Sequence, residues 1–199
     1  MGGSPGFGRA GCQQVPRDRA LWRNRRTRMT KDIGETEVRH DEHWMALALA
    51  QATDAGRAGE VPVGAVLVRD GSMLAGAGNS PIALHDPTAH AEILALRAGG
   101  ARIGNYRLKD CVLYVTLEPC AMCAVALVHA RVARLVFGAT DPRAGAAGSA
   151  FTLIDDARLN HRVSVTGGVL AAECEALLRD FFRARRADGS DRGLAQLKE

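Results

Sequence analysis

Residues 111–130 read CVLYVTLEPCAMCAVALVHA, and the fold turns on how this stretch divides. "CVLYVTL" (111–117) is a short apolar run of strand composition. "PCAMCAVALVHA" (119–130) reads as a helix, with Pro119 suited to its first turn. A strand feeding directly into a helix is the building step of a layered α/β domain.

The flanking segments repeat that step. Upstream, "VPVGAVLVRDGSMLAGAGNS" (61–80) predicts a β-hairpin turning at Asp70-Gly71, with Val61, Val63, Ala65 and Leu67 on one face. Trp44, Leu47 and Ala48 fall at helical spacing and place a first helix near 40–56. "HAEILALR" continues as a helix closing at Gly99-Gly100. Downstream, "ARLVFGA" (133–139) and "HRVSVTGGV" (161–169) are strands, and 170–186 is a last helix. The pattern predicts an α/β fold, a three-layer α/β/α sandwich around a central mixed sheet.

With 199 residues the chain fits one domain, expected over 37–187, with a basic extension over 1–36 and a tail over 188–199. No apolar run is long enough for a membrane span, and the N-terminus carries no signal-like apolar core. Five cysteines at uneven spacing do not form a disulfide framework, so a reducing, cytoplasmic setting is expected. The net charge of +4 is unevenly spread. Residues 1–31 hold eight bases and one acid, leaving 18 bases against 21 acids in the rest. The Gly-, Pro- and Arg-rich leader therefore reads as a disordered tail, as sequence ahead of a true start at Met29, or as a basic arm for nucleic acid.

Cys120 and Cys123, three apart at a helix start, put both sulfurs on one face where the helix dipole favours thiolates. A zinc ligand pair and a redox pair both fit this C-x-x-C. Thirty residues earlier, "DPTAHAEILALR" places His90 one residue from Glu92. A redox pair has no use for His-x-Glu, whereas zinc held by two thiolates needs a further ligand. Alone, His90 would read as an ordinary core or surface histidine and Glu92 as a dipole partner. Residues i and i+2 cannot share a helix face, so both serve one point only if that helix start is aimed at it. Two helix N-termini converging on one metal are expected.

His129 lies ~9 and ~13 Å down the helix from the cysteines, too far to complete the site. Cys111 sits at the other end of the strand and Cys174 on the apolar stripe of the last helix, while His85 and His161 stay open. Three protein ligands leave a position for water, which zinc acidifies to a pKa of about 7. Glu92, close but uncoordinated, can carry the proton. H-x-E…P-C-x-x-C is a known signature of zinc nucleobase deaminases.

The chain resembles the bacterial tRNA-specific adenosine deaminases of the TadA type over about residues 40–187. The likeness is carried by "VPVGAVLV", "HDPTAHAEILALR", "NYRL", "LYVTLEPCAMCAVALVHARVARLVFGA", "GAAGS", "NHRV" and "AAECEALLRDFFRARR". It implies a cytidine-deaminase-like fold, one Zn2+ per subunit on His90, Cys120 and Cys123, and Glu92 as the proton shuttle. It implies a substrate contact at Asn79, a homodimer, and conversion of the wobble adenosine of an arginine tRNA anticodon to inosine. The partner is then a tRNA anticodon stem-loop, with no membrane and no organic cofactor.

Arg183, Arg185 and Arg186 end the last helix and suit phosphate contacts, though basic residues there also complement the helix dipole. The Arg-rich leader, the acidic "AFTLIDDARL" (150–159) and Leu84 depart from the family pattern. A deaminase of a free base such as guanine or cytosine is the competing reading, ahead of a non-catalytic zinc RNA-binding module and a thioredoxin-like oxidoreductase.

Overall fold

The structure is a computed structural model that describes residues 19–187. Residues 1–37 and 38–199 form two separate compact units. The expected extension 1–36 lies partly, and the tail 188–199 wholly, outside the described residues. Helix α1 (Arg19–Arg57) starts well before the expected residue 40. Its early residues are mostly Arg, Lys, Glu, Leu and Met, with Gly34 the only glycine and no proline, so nothing breaks the helix.

After α1 come β1 (Gly64–Arg69), β2 (Ser72–Gly78), the single turn α2 (Pro81–Leu84), α3 (Ala91–Ile103), β3 (Cys111–Leu117), α4 (Ala121–Ala130), β4 (Arg134–Ala139), β5 (Ser164–Gly167) and α5 (Ala171–Ala187). The strands form one mixed sheet in the order β2-β1-β3-β4-β5. β1 is antiparallel to both β2 and β3, and β3, β4 and β5 are mutually parallel. Asp70 and Gly71 carry φ of 50° and 68°, the paired left-handed conformation of the tight hairpin turn expected there.

Alternation along the strands divides the core. Ala65, Leu67, Leu113, Val115, Leu135 and Phe137 face α3 and α4, while Val66, Val68, Tyr114 and Val136 face α1 and α5. This is the expected three-layer sandwich, with helices on both faces of a mixed sheet. Val61, placed on the buried face by its spacing, lies ahead of β1 and is partly exposed.

Two helix boundaries differ from the expectation. α3 runs through Gly99 and Gly100 to Ile103 and stops at Gly104, whose φ of 65° closes it. Gly99 is a packing residue: a Cβ there would lie 2.3 Å from Leu67 Cδ2 on β1. Pro119 is not in the first turn of α4. Cys120, with extended φ −69° and ψ 172°, is the N-cap, so Pro119 stands just outside. Between β4 and β5 no helix returns across the sheet. Residues 140–163 cover the α3–α4 side as an irregular segment, anchored by fully buried Ile154.

Candidate metal centre and active site

The metal centre is built from two N-caps. His90 caps α3 and Cys120 caps α4, and both helix starts lie beyond sheet strands. An N-cap residue has extended backbone, so its side chain leaves the helix axis toward whatever lies in front. His90 Nδ1 is 3.7 Å from Cys120 Sγ and 3.5 Å from Cys123 Sγ. Zinc bonds of ~2.3 Å to sulfur and ~2.0 Å to nitrogen at tetrahedral angles put sulfur and nitrogen about 3.5 Å apart. The two observed nitrogen–sulfur separations match those edges, and the three ligand atoms lie within 4.8 Å of one another, so the trio fits Zn2+.

Among the described residues this is the one cluster of three His, Cys, Asp or Glu side chains able to hold a metal. His85 is an exposed left-handed cap on α2, and His161 bonds through Nε2 to the Val132 carbonyl at 2.7 Å. Cys111 and Cys174 are buried thiols in the core.

Hydrogen bonds from Cys123 and His90 pull the Cys120 thiol down to about 3. The bond to Cys120, together with burial, pushes Cys123 up. One thiolate is thus prepared by the fold, and a bound dication deprotonates the second.

Glu92 stands in the first turn of α3, 4% exposed, with its carboxyl pushed up by burial. Asn79 follows β2, and its Oδ1 accepts from Ala91 N at 2.9 Å. That bond fixes the amide, since oxygen must face the donor, and leaves the two Nδ2 hydrogens for another partner. The amide sits on the residue between His90 and Glu92. Expected site residues 79, 90, 92, 120 and 123 therefore come together.

The arginines of α5 divide. Arg183 pairs with Asp180 at 2.8 Å, and Arg186 is exposed. Arg185 donates to the Gly59 carbonyl at 2.7 Å and stacks 5.1 Å from the Phe181 ring centre. Next to Gly59, the 3% exposed Glu60 accepts from Ala83 N at 2.8 Å. Arg185 thus braces the turn from which Glu60 holds α2, directly after Asn79.

Sequence reasoning missed Glu118, 2% exposed between β3 and the Cys120 cap. Its Oε2 accepts from Asp141 N at 3.1 Å and from the Ser149 hydroxyl, and its Oε1 from Ala147 N and Ser149 N at 3.0 Å each. Burial raises its pKa, but these hydrogen bonds outweigh it and hold the carboxyl below its ordinary value. The available signal was physical: a glutamate between an apolar strand and a buried helix start demands donors, and a Gly- and Ala-rich segment offers them as bare backbone.

Residues 38–139 match the family described as the cytidine and deoxycytidylate deaminase zinc-binding region. The tRNA-specific adenosine deaminase of Haemophilus influenzae is 52% identical over 158 residues, spanning 79% of this chain and 91% of that protein. A structure solved in a study of A-to-I editing by tRNA:A34 deaminases at the wobble position of transfer RNA superposes with a TM-score of 0.67 at 45% identity. It covers 68% of this chain and 99% of that one. A guanine deaminase from Nitrosomonas europaea is more distant, with a TM-score of 0.62 at 25% identity over 70% of this chain and 83% of that one. With the zinc trio, the neighbouring buried carboxylate and the sandwich that aims them, the chain belongs to the tRNA-specific adenosine deaminases within the zinc-binding cytidine and deoxycytidylate deaminase family.

Proposed function

We propose that this chain hydrolyses the exocyclic amine of adenosine at the wobble position of a tRNA anticodon, that of an arginine tRNA, giving inosine and ammonia. The observation that carries the chemistry is the buried Glu92 carboxylate beside His90, Cys120 and Cys123 at converging helix starts. Those three residues hold Zn2+, which when bound supplies a water acidified to a pKa of about 7 as nucleophile.

Glu92 takes one proton from the attacking water and passes it to the ring nitrogen. It then takes the second proton from the new hydroxyl and passes it to the departing amine as the C–N bond breaks. Burial, which pushes its carboxyl up, favours the protonated form that it passes through between the two transfers. Asn79 Nδ2 donates to an acceptor on the purine edge, with Oδ1 locked on Ala91. A base in a single-stranded loop can be turned into such a pocket at low unstacking cost. Exposed Arg183 and Arg186 add phosphate contacts at the end of α5.

A homodimer is part of this proposal. An apolar cleft of about 670 Å³ between α3 and α4, lined by Ile93, Leu96, Ala126, Tyr106 and Ala130, suits a second copy. Sedimentation velocity gives a dimer if this holds and a monomer if it fails. No described helix is long and apolar enough to cross a membrane. A tRNA substrate supports a cytoplasmic setting.

The likeness to a guanine deaminase favours free-base deamination as the second reading. A single-turnover assay decides. An anticodon stem-loop with wobble adenosine is run beside free guanine, cytosine and adenosine, with wild type and Glu92→Ala. Inosine only in the loop is expected, with Glu92→Ala retaining zinc and slowed by about 10²–10⁴-fold. Ammonia from a free base with the loop untouched overturns the RNA assignment. A near-normal rate in Glu92→Ala overturns the shuttle.

A further inference from the structure

We propose that Glu118 is a positioning residue that clamps the 141–149 loop onto the metal-ligand turn and so sets the wall against which the RNA loop binds. The inference rests on the RNA reading above.

Four donors converge on its two oxygens, two on each: Asp141 N and Ser149 Oγ on one, Ala147 N and Ser149 N on the other. A carboxylate can accept about four such bonds, so the group is saturated by a single segment of chain. The same segment is sewn to the ligand turn by backbone. Ala146 N donates to the Pro119 carbonyl at 2.8 Å, and Gly145 forms a bridge with Cys120 itself. The fit leaves no room, because a Cβ on Gly145 would lie 2.5 Å from Glu118 Cδ and from the Asp141 carbonyl.

Pro142, Arg143 and Ala144 form the exposed outer edge of this loop. Through Gly145 that edge is fixed to the backbone of a metal ligand, so Glu118 decides where it stands beside the metal centre. Nothing in this arrangement touches the reacting atoms. Its consequence is for substrate binding, and kcat is left to Glu92 and the zinc ligands.

Glutamine separates this role from simple stability. An amide in place of the carboxylate has one acceptor oxygen. With that oxygen on Ala147 N and Ser149 N, its NH2 opposes Asp141 N while the Ser149 hydroxyl turns to accept. One bond thus becomes repulsive, and the charge that strengthens the others is lost. In Glu118→Gln, zinc is expected to stay at one per chain and kcat to change by less than about threefold. KM for the anticodon stem-loop is expected to rise by about tenfold or more. Gly145→Ala pushes the loop off with Glu118 intact and gives the same split, and Ser149→Ala, losing one donor of four, a smaller one. A second readout needs no activity: limited trypsin digestion with mass mapping shows cleavage after Arg143 accelerated in all three.

A lowered melting temperature with unchanged KM and wild-type cleavage at Arg143 overturns the proposal, as does loss of zinc in Glu118→Gln. If Glu118→Gln does not fold, Gly145→Ala and Ser149→Ala decide by the same criteria. Wild-type inactivity on the stem-loop would sink the RNA reading instead, and the Arg143 cleavage rates would still test the clamp.

Discussion

At the scale of single residues, a site side chain can be held by something other than the chemistry it serves. Asn79 shows this most clearly, since its carbonyl holds the start of α3 and only its NH2 faces outward. The two duties separate by mutation. Asn79→Ala loses the bond to Ala91 N and is expected to cost about 1 kcal/mol of stability along with activity. Asn79→Asp keeps an oxygen for Ala91 N and loses the donors, so melting should hold while single-turnover rates fall. An Asp variant with wild-type rate would show that the NH2 has no substrate. The identities of His90, Glu92, Cys120 and Cys123 were legible because their spacing is local and their chemistry restrictive. Glu118 was not, because its partners lie 23 to 31 residues ahead and three of the four are backbone groups with no side-chain signature.

At the scale of elements, the centre depends on how closely helices seat on the sheet. β1 begins at Gly64 because α1 passes directly over it: a Cβ there would lie 2.1 Å from the Ala48 carbonyl oxygen and 2.4 Å from Ala52 N. Backbone cannot yield as a side chain can, so Gly64→Ala should cost at least about 3 kcal/mol, read as a shifted denaturant midpoint. A shift below about 1 kcal/mol would mean α1 can slide on the sheet. Strand positions were legible from apolar runs, with β3 found at its true bounds. The helix boundaries at Gly99-Gly100 and Pro119 were not. Gly99 signals a helix end locally, yet its missing side chain serves the contact with Leu67, and packing outweighs propensity.

At the scale of the whole molecule, the sandwich is tied across its layers by few polar links. Arg134 on β4 grips Asp41 of α1 at 2.6 Å, and the same carboxylate accepts from the Tyr114 hydroxyl at 3.0 Å. Behind the sheet, Cys174 of α5 packs against Gly138 with its thiol pushed up to about 11 by burial. Its folded pKa lies above the ordinary 9.0, so its stabilising contribution is complete below pH ~9 and is lost as pH rises toward 11. That difference corresponds to about 3 kcal/mol. Denaturant midpoints should fall between pH 9 and 11 in wild type and fall less steeply in Cys174→Ala. Equal slopes would remove Cys174 as the cause.

By itself the sequence determined the strand–helix order, the layered class and the zinc chemistry, because each is written in residues close together along the chain. Tertiary structure alone decided that Arg185 braces Gly59 from 126 residues away, that Arg134 meets Asp41 across 93, and that a loop beyond β4 closes on Glu118. Local periodicity and spacing describe an element's own faces. Which distant backbone supplies a donor depends on the path of the whole chain through the packed sheet, and no short window of sequence contains it.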